Sequence, residues 1–146
     1  RCEADIPEWG YKFHMNDVCA TVGIENFKHL DNIISKHKEN AAYYDKHLQN
    51  IPGVTLLERQ EGFESAFWIY SLLVDDRDGF YKYMDECKIS VSQVHERNDK
   101  HTCVQEFKTE LPNLDNTIGK IVNIPVGWWV TNEEREHIVD CIRKGW

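Results

Sequence analysis

The sequence predicts an α+β fold in which a helical N-terminal arm precedes a small, mainly antiparallel sheet with helices packed on one face. Two patterns carry this prediction. Between residues 30 and 48, apolar side chains recur every three or four positions, which indicates one long amphipathic helix. After residue 50, short β-branched and aromatic runs alternate with helical patterns. We therefore divide the chain into a loop and long helical arm over residues 1–50 and a small α+β domain over residues 51–146.

The predicted arm consists of two helices. Asn16 and Asp17 are residue types that cap helix N-termini, so we expect a first helix over residues 16–28. The apolar face of the long second helix is formed by Leu30, Ile33, Ile34, His37, Ala41, Tyr44 and Leu48. The Asn50-Ile51-Pro52-Gly53 stretch ends this helix, because the residue before a proline avoids helical geometry.

The second part of the chain alternates strands with helices. Residues 54–57, 66–74, 89–94 and 120–124 are predicted as strands, whereas residues 95–116 are polar and irregular. Asp75-Asp76 caps a helix whose apolar face carries Phe80, Tyr83, Met84 and Cys87. Thr131 and Glu134 form a capping-box pair that opens the last helix, with Ile138 and Ile142 on one face.

Composition and charge limit the classes of function. The net charge of −8 argues against non-specific nucleic-acid binding, which needs a basic face. No apolar run approaches the roughly 18 residues that would suggest a membrane span. The five cysteines, Cys2, Cys19, Cys87, Cys103 and Cys141, are odd in number, widely spaced and without a CxxC pair. This usage predicts reduced thiols in a cytoplasmic protein rather than a disulfide framework.

The most informative segment is Gly10-Tyr11-Lys12-Phe13-His14-Met15-Asn16-Asp17, followed by Ala20 and Gly23. An aromatic and basic loop that enters a helix N-terminus suits contact with an anion, because the helix dipole and free amides favour negative charge. The alternative is a loop that packs its aromatic rings on the core.

Residue by residue, this segment resembles the corresponding stretch of the DegT/DnrJ/StrS-type sugar-nucleotide aminotransferases, which are pyridoxal-phosphate enzymes of fold type I. The resemblance continues through residues 27–31, 66–70 and 124–129 and covers nearly the whole chain. It implies the small C-terminal domain of such an enzyme, with residues 1–50 as interdomain loop and arm. Because the first residue is Arg1 rather than methionine, we expect the sequence to begin inside a longer gene product or after processing, and the resemblance implies a large domain upstream. The resemblance places the Schiff-base lysine there, so no catalytic residue is expected in this chain.

The resemblance assigns cofactor binding to Lys12 and His14. In relatives this loop reaches across a dimer interface to the cofactor phosphate of the other subunit. Relatives carry asparagine or lysine at the position of Lys12, and many carry arginine or asparagine at the position of His14. A lysine supplies a point charge for phosphate, whereas a histidine is cationic only part of the time near neutral pH. The alternatives are a solvated lysine and a histidine ring packed on Trp9 or Phe13.

The resemblance also assigns substrate binding to the polar stretch after residue 94. His95 matches a histidine that lines the sugar-nucleotide pocket in many relatives. The usual continuation with a tyrosine and two prolines is replaced here by Glu96-Arg97-Asn98-Asp99. Arg97 could clamp a carboxylate or phosphate with two hydrogen bonds, or it could form an internal ion pair with Asp99.

Two further groups of residues have side chains suited to ligand binding. His95, Asp99, His101 and Cys103 are all possible metal ligands, but their spacing matches no zinc pattern, so we expect no metal. The Trp128-Trp129 pair could stack on a nucleotide base or could plug a domain contact.

The function implied by the resemblance is amino transfer from an amino acid, with glutamate favoured, to a keto-sugar attached to a nucleoside diphosphate. The implied partners are the missing large domain and a second subunit of a homodimer, and the segment alone should be inactive. The alternative function is a non-catalytic binding or dimerisation module that reuses this fold.

Overall fold

In a computed structural model that describes residues 4–146, a three-stranded antiparallel sheet and three of the helices share one hydrophobic core. Cys2 lies outside the described residues. The elements are α1 (Asp17–Phe27), α2 (Leu30–His47), β1 (Val54–Leu56), β2 (Tyr70–Val74), α3 (Arg77–Glu86), α4 (Pro112–Ile118), β3 (Ile121–Ile124) and α5 (Asn132–Lys144). Two short 3₁₀ helices, Asn98–Lys100 and Thr102–Phe107, precede α4.

The sheet has the strand order β1-β2-β3, and β2 pairs antiparallel with both neighbours. Leu72 of β2 lies opposite Leu56 of β1 and Val122 of β3, while Tyr70 lies opposite Ile124. Because directly paired residues point to the same side of a sheet, these side chains form one apolar face. Tyr70, Leu72, Val122 and Ile124 are all buried.

Three helices cover this apolar face. The buried apolar side chains are Ala41 and Tyr44 from α2, Leu48 directly after it, Phe80 and Met84 from α3, and Ile138, Val139, Cys141 and Ile142 from α5. The buried apolar positions of α2 and α3, and Ile138 and Ile142 of α5, lie on the helix faces predicted from the periodicity, whereas Val139 and Cys141 were not predicted. The α+β class, with helices beside a small antiparallel sheet, is therefore confirmed.

The predicted helix caps of α1, α3 and α5 are present. The Asn16 side chain accepts a hydrogen bond from the Cys19 amide at 2.9 Å. Asp76 accepts one from the Gly79 amide at 3.0 Å. Thr131 and Glu134 form the reciprocal capping box. Each cap satisfies an amide that has no partner within its own helix.

The predicted strand over residues 66–74 is shorter than expected, because β2 begins at Tyr70. Phe67 has a positive φ of 49°, so the backbone turns just before the strand. The Phe67 carbonyl accepts a hydrogen bond from His37 of α2 at 2.8 Å, and its amide donates to Ser65 Oγ. These backbone groups are used by other partners and cannot extend the ladder.

The predicted strand over residues 89–94 is wrong, because only Ser92 pairs with the sheet. Its amide and carbonyl exchange hydrogen bonds with Asn123 at 3.1 and 2.7 Å. The Ile89 amide instead bonds to the Met84 carbonyl at the end of α3. The stretch over residues 95–116 is also more ordered than predicted, since it holds both 3₁₀ helices and the start of α4 at Pro112.

Polar groups on the inner side of α2 hold the turn that follows β3. The Asn40 amide nitrogen donates to the Val126 and Gly127 carbonyls at 3.2 and 3.1 Å. Its oxygen accepts from Arg135 of α5 at 3.1 Å. Burial raises the pKa of the Tyr44 hydroxyl, which donates to the Pro125 carbonyl at 2.8 Å. The turn is thereby fixed to α2, and Asn40 connects α2 in turn to α5.

No helix in the described part of the chain has the length and apolar character needed to cross a membrane. The four described cysteines, Cys19, Cys87, Cys103 and Cys141, are free.

We expect Asn40→Ala to lower the free energy of unfolding more than the loss of an exposed polar side chain would. The Gly127 carbonyl keeps the Val130 amide and Arg135 keeps Glu39, whereas the buried Val126 carbonyl loses the partner that Asn40 supplies. A buried polar group without a partner costs about 1–3 kcal/mol. Urea unfolding of the chain should show a loss in that range, whereas Asn116→Ala, an exposed control, should stay within about 0.5 kcal/mol of the parent. Equal unfolding midpoints for the two variants would contradict the assigned role of Asn40.

Candidate functional site

The predicted cofactor loop lies on the surface, immediately before α1. Lys12 and His14 are exposed, and neither forms a hydrogen bond or an ion pair with another residue in the 4–146 range. Tyr11 and Phe13 are 94% and 92% exposed. The aromatic rings of this loop therefore do not pack on the core of the described chain, and Lys12 and His14 can reach a group outside it.

Helix α1 continues this exposed region. None of its residues is buried, and four apolar side chains, Val18, Val22, Ile24 and Phe27, are each more than half exposed. Apolar surface of this kind on a folded domain is typical of a protein interface. The helix and the loop before it thus form one surface, residues 10–27, that is suited to contact with another domain or subunit.

The predicted substrate residues lie at the start of the 95–107 segment. His95 is exposed, and its ring contacts the Trp68 ring with centroids 6.2 Å apart. Arg97 donates two parallel hydrogen bonds of 2.6 Å to Asp99 and a third to Asp115. The internal pair with Asp99, one of the two alternatives for Arg97, is thus present.

This ion pair changes the acidity of its partners. Hydrogen bonds from the Arg97 guanidinium hold the pKa of Asp99 below its usual value, and the two carboxylates raise the pKa of Arg97. The Gln105 side chain also donates to the Asp99 and His101 carbonyls at 2.8 and 3.2 Å. The segment is therefore ordered by its own polar contacts rather than by burial in the core.

Residues 5 and 6, which precede the predicted cofactor loop, contact the predicted substrate segment at Thr102 and Cys103. Among residues 4–146, no hydrogen bond or ion pair joins Lys12 or His14 to His95 or Arg97. The Asp5 carboxylate accepts hydrogen bonds from the Thr102 amide at 2.9 Å and from its hydroxyl at 2.6 Å. The Cys103 amide donates to the Ile6 carbonyl at 3.0 Å. Asp5 and Thr102 were missed by the sequence analysis, because no spacing pattern connects residues that are 97 positions apart.

A cavity of about 300 Å³ opens beside Trp68, at the edge of the sheet. Its lining includes Trp68, Ser90, Ser92, Asn123, Gly127 and Trp129. Trp68 and Trp129 are 67% and 63% exposed. The Trp129 indole lies over Gly127 so closely that a Cβ there would come within 2.3 Å of the ring. The cavity size is at the lower end of that of small-molecule sites, and Trp68 connects it to His95.

A second cavity, of about 530 Å³, lies between α2 and the loop before β2. Its two basic side chains are already paired, because Lys38 lies 2.6 Å from Glu64 and Arg59 lies 3.2 Å from Asp45. None of the four predicted site residues lines it. We therefore centre the candidate site on the two joined segments.

The possible metal ligands on the 95–107 segment do not converge. Among residues 4–146, no group of three or more His, Cys, Asp or Glu side chains has an arrangement that could hold a metal ion. His101 instead faces Asp5, with 3.9 Å between its Nδ1 and a carboxylate oxygen.

Comparison with known proteins gives one consistent result. The profile of the DegT/DnrJ/EryC1/StrS aminotransferase family matches residues 2–143. The sugar aminotransferase CalS13 from Micromonospora echinospora is 43% identical, with a TM-score of 0.87 over 99% of this chain and 39% of CalS13. AtS13 from Actinomadura melliaura is 44% identical, with a TM-score of 0.85 over 97% of this chain and 38% of AtS13.

A more distant curated relative shows the same partial coverage. The erythromycin biosynthesis sensory transduction protein EryC1 from Saccharopolyspora erythraea is 21% identical over 93% of this chain and 38% of its own length. The chain thus spans about two-fifths of the length of the proteins it matches.

We expect Arg97→Ala to raise the pKa of Asp99 towards its ordinary value, because hydrogen bonds from Arg97 are the main cause of its lowering. A titration of the carboxyl carbons by NMR would measure this. Lys108 lowers the same pKa only through its charge, so Lys108→Ala should raise it less. In the parent chain, the stabilising pair is complete above the ordinary pKa of an aspartate and is lost as the pH falls through the lowered one. An Asp99 pKa that does not respond to Arg97→Ala would rule out the pair in solution.

Proposed function

Because this chain belongs to the DegT/DnrJ/EryC1/StrS aminotransferase family, we propose that the full-length protein transfers an amino group from glutamate to a keto-sugar carried by a nucleoside diphosphate. The family match over residues 2–143 is the observation that carries this proposal. The similarity to CalS13, a sugar aminotransferase, supports the sugar as acceptor. In this proposal the chain is the C-terminal part of the enzyme, and the covalent lysine belongs to a large N-terminal domain.

The cofactor of the proposed enzyme is pyridoxal phosphate, which supplies an electron sink for amino transfer when bound. The residues present fit its phosphate end. Lys12 and His14 are exposed cation-forming side chains with no acidic partner in the described part of the chain. They precede the N-terminus of α1, where the helix dipole favours negative charge. We assign both residues to the phosphate, with Lys12 as the constant charge.

The substrate side of the proposed site is the His95 region. A neutral imidazole offers one donor and one acceptor, so His95 can bind a sugar hydroxyl or a phosphate oxygen beside Trp68. Arg97 uses three of its five N–H groups on Asp99 and Asp115. Its remaining N–H groups can contact the substrate while the ion pair keeps the segment in place. We assign substrate binding to His95 and Arg97 on this basis.

The proposed enzyme is a homodimer in which residues 10–27 contact the large domain and the second subunit. The exposed apolar side chains of α1 supply the area that such a contact buries. A loop placed at that interface allows Lys12 to serve the cofactor phosphate of the neighbouring subunit.

The proposed reaction can be tested on the full-length protein. With pyridoxal phosphate, 15N-glutamate and a panel of nucleotide-linked keto-sugars, we expect 15N to appear in one amino sugar together with an equal amount of 2-oxoglutarate. The 146-residue chain should transfer no nitrogen and should bind no cofactor covalently. The proposal fails if the full-length protein aminates no member of the panel. It also fails if the chain alone attaches the cofactor stoichiometrically at one lysine.

A second test addresses Lys12 in the full-length enzyme. Loss of one charge-assisted hydrogen bond costs about 1.5–3 kcal/mol, so Lys12→Ala should weaken cofactor binding about tenfold to a hundredfold. The fold should be unaffected, because an exposed loop lysine contributes little to packing. Lys46→Ala, which removes an exposed lysine from α2, is the matched control. Cofactor dissociation constants that are equal for both variants would remove Lys12 from the site.

A further inference from the structure

We propose that Asp5 is a positioning residue that fastens the substrate segment to the cofactor loop through Thr102. This inference rests on the proposed function for its effect on substrate, while the contact itself is a feature of the fold. It predicts that the 95–107 segment is held in its productive position by a carboxylate outside the pocket.

Asp5 acts as an N-terminal helix cap for Thr102, although the two residues are 97 positions apart in the sequence. Thr102 is the first residue of the Thr102–Phe107 helix, and the preceding His101 makes no capping hydrogen bond with its side chain. The Asp5 carboxylate takes that place by accepting from both the amide and the hydroxyl of Thr102. Hydrogen bonds to an ionised carboxylate are stronger than those between neutral groups. Both hydrogen bonds also lower the pKa of Asp5, so the carboxylate stays charged near neutral pH.

Two more contacts join residues 6–9 to residues 103–107, and both segments run in the same direction. The Ile6 carbonyl accepts from the Cys103 amide, one residue further along each segment. The Trp9 ring then meets the Phe107 ring edge-on, with centroids 6.4 Å apart. Residues 5–9 therefore lie alongside residues 102–107, and Lys12 follows only three positions after Trp9.

The attached helix also holds the residues that face the substrate. Gln105 donates a hydrogen bond to the Asp99 carbonyl, and the Asp99 carboxylate accepts two hydrogen bonds from Arg97. Hydrogen bonds at Thr102, Gln105 and Asp99, linked by the covalent backbone of the Thr102–Phe107 helix and of Asp99, thus connect Asp5 to Arg97. If Asp5 releases this helix, Arg97 and His95 keep their contacts with Asp115 and Trp68 but lose the support that reaches Arg97 through Asp99. Their positions are then less restricted, which weakens substrate binding before it affects the chemical step.

The attachment can be tested first without any activity, by hydrogen exchange on the 146-residue chain. We expect Asp5→Asn and Thr102→Val each to increase exchange of the amides of residues 98–107 by about tenfold, the effect of losing roughly one such hydrogen bond. The double variant should exchange no faster than the faster single variant, because Thr102→Val removes one of the two hydrogen bonds that Asp5→Asn already weakens. Thr102→Ser keeps both donors and should match the parent, as should Asp31→Asn, an exposed control on α2. Unchanged exchange in both single variants would overturn the proposal.

The positioning role is then tested on the full-length enzyme with the keto-sugar nucleotide that it aminates. We expect Asp5→Asn and Thr102→Val to raise the KM for that sugar by about tenfold, with kcat and the KM for glutamate nearly unchanged and with Thr102→Ser normal. Faster exchange with an unchanged sugar KM would overturn the positioning role and leave a purely structural contact. If the parent enzyme aminates no sugar, the proposed function fails and the positioning role fails with it. The exchange result still shows separately whether Asp5 holds the helix.

Discussion

The buried polar row on the inner side of α2 is the constraint on which the rest of the structure depends. His37, Asn40 and Tyr44 each bond to a backbone carbonyl that lies outside any regular element. Because unpaired polar groups in a core are costly, these side chains and carbonyls can be buried only together. The row thereby fixes the backbone before β2 and the turn after β3 relative to one helix. Those two stretches carry Trp68 and Trp129, which line the sheet-edge cavity. The buried hydrogen bonds of α2 therefore fix the positions of these two cavity walls.

The candidate site itself is built differently from this core. Its two segments lie on the surface, and they are joined by hydrogen bonds and ring contacts rather than by buried apolar area. Segments held in this way open at a lower free energy than the core does. Functional residues are often placed on such loops above a rigid scaffold. In this chain the scaffold is the sheet with α2, α3 and α5, and the loops carry Lys12, His14, His95 and Arg97.

The exposed surface of residues 10–27 agrees with the partial coverage of the relatives. A chain that spans about two-fifths of its relatives' length leaves room for a large domain that would pack on this surface. The same surface carries both proposed cofactor residues. Assembly and cofactor binding would then use one region, so a change in α1 could affect both.

The sequence alone determined the features that depend on near neighbours. The caps at Asn16, Asp76 and Thr131 were predicted correctly, as were the central core positions of α2, α3 and α5, because a cap and a helix face depend on residues a few positions apart. The resemblance to a family supplied the four predicted site residues, and their roles stay predictions. Only the tertiary structure decided where the strands begin and end. His37 donates a hydrogen bond to the Phe67 carbonyl, and the Ile89 amide bonds to α3. Residues near Phe67 and Ile89 therefore do not pair with the sheet, although their apolar patterns are typical of strands. It also decided the pairing of Asp5 with Thr102, because contacts between distant residues depend on how the whole chain packs.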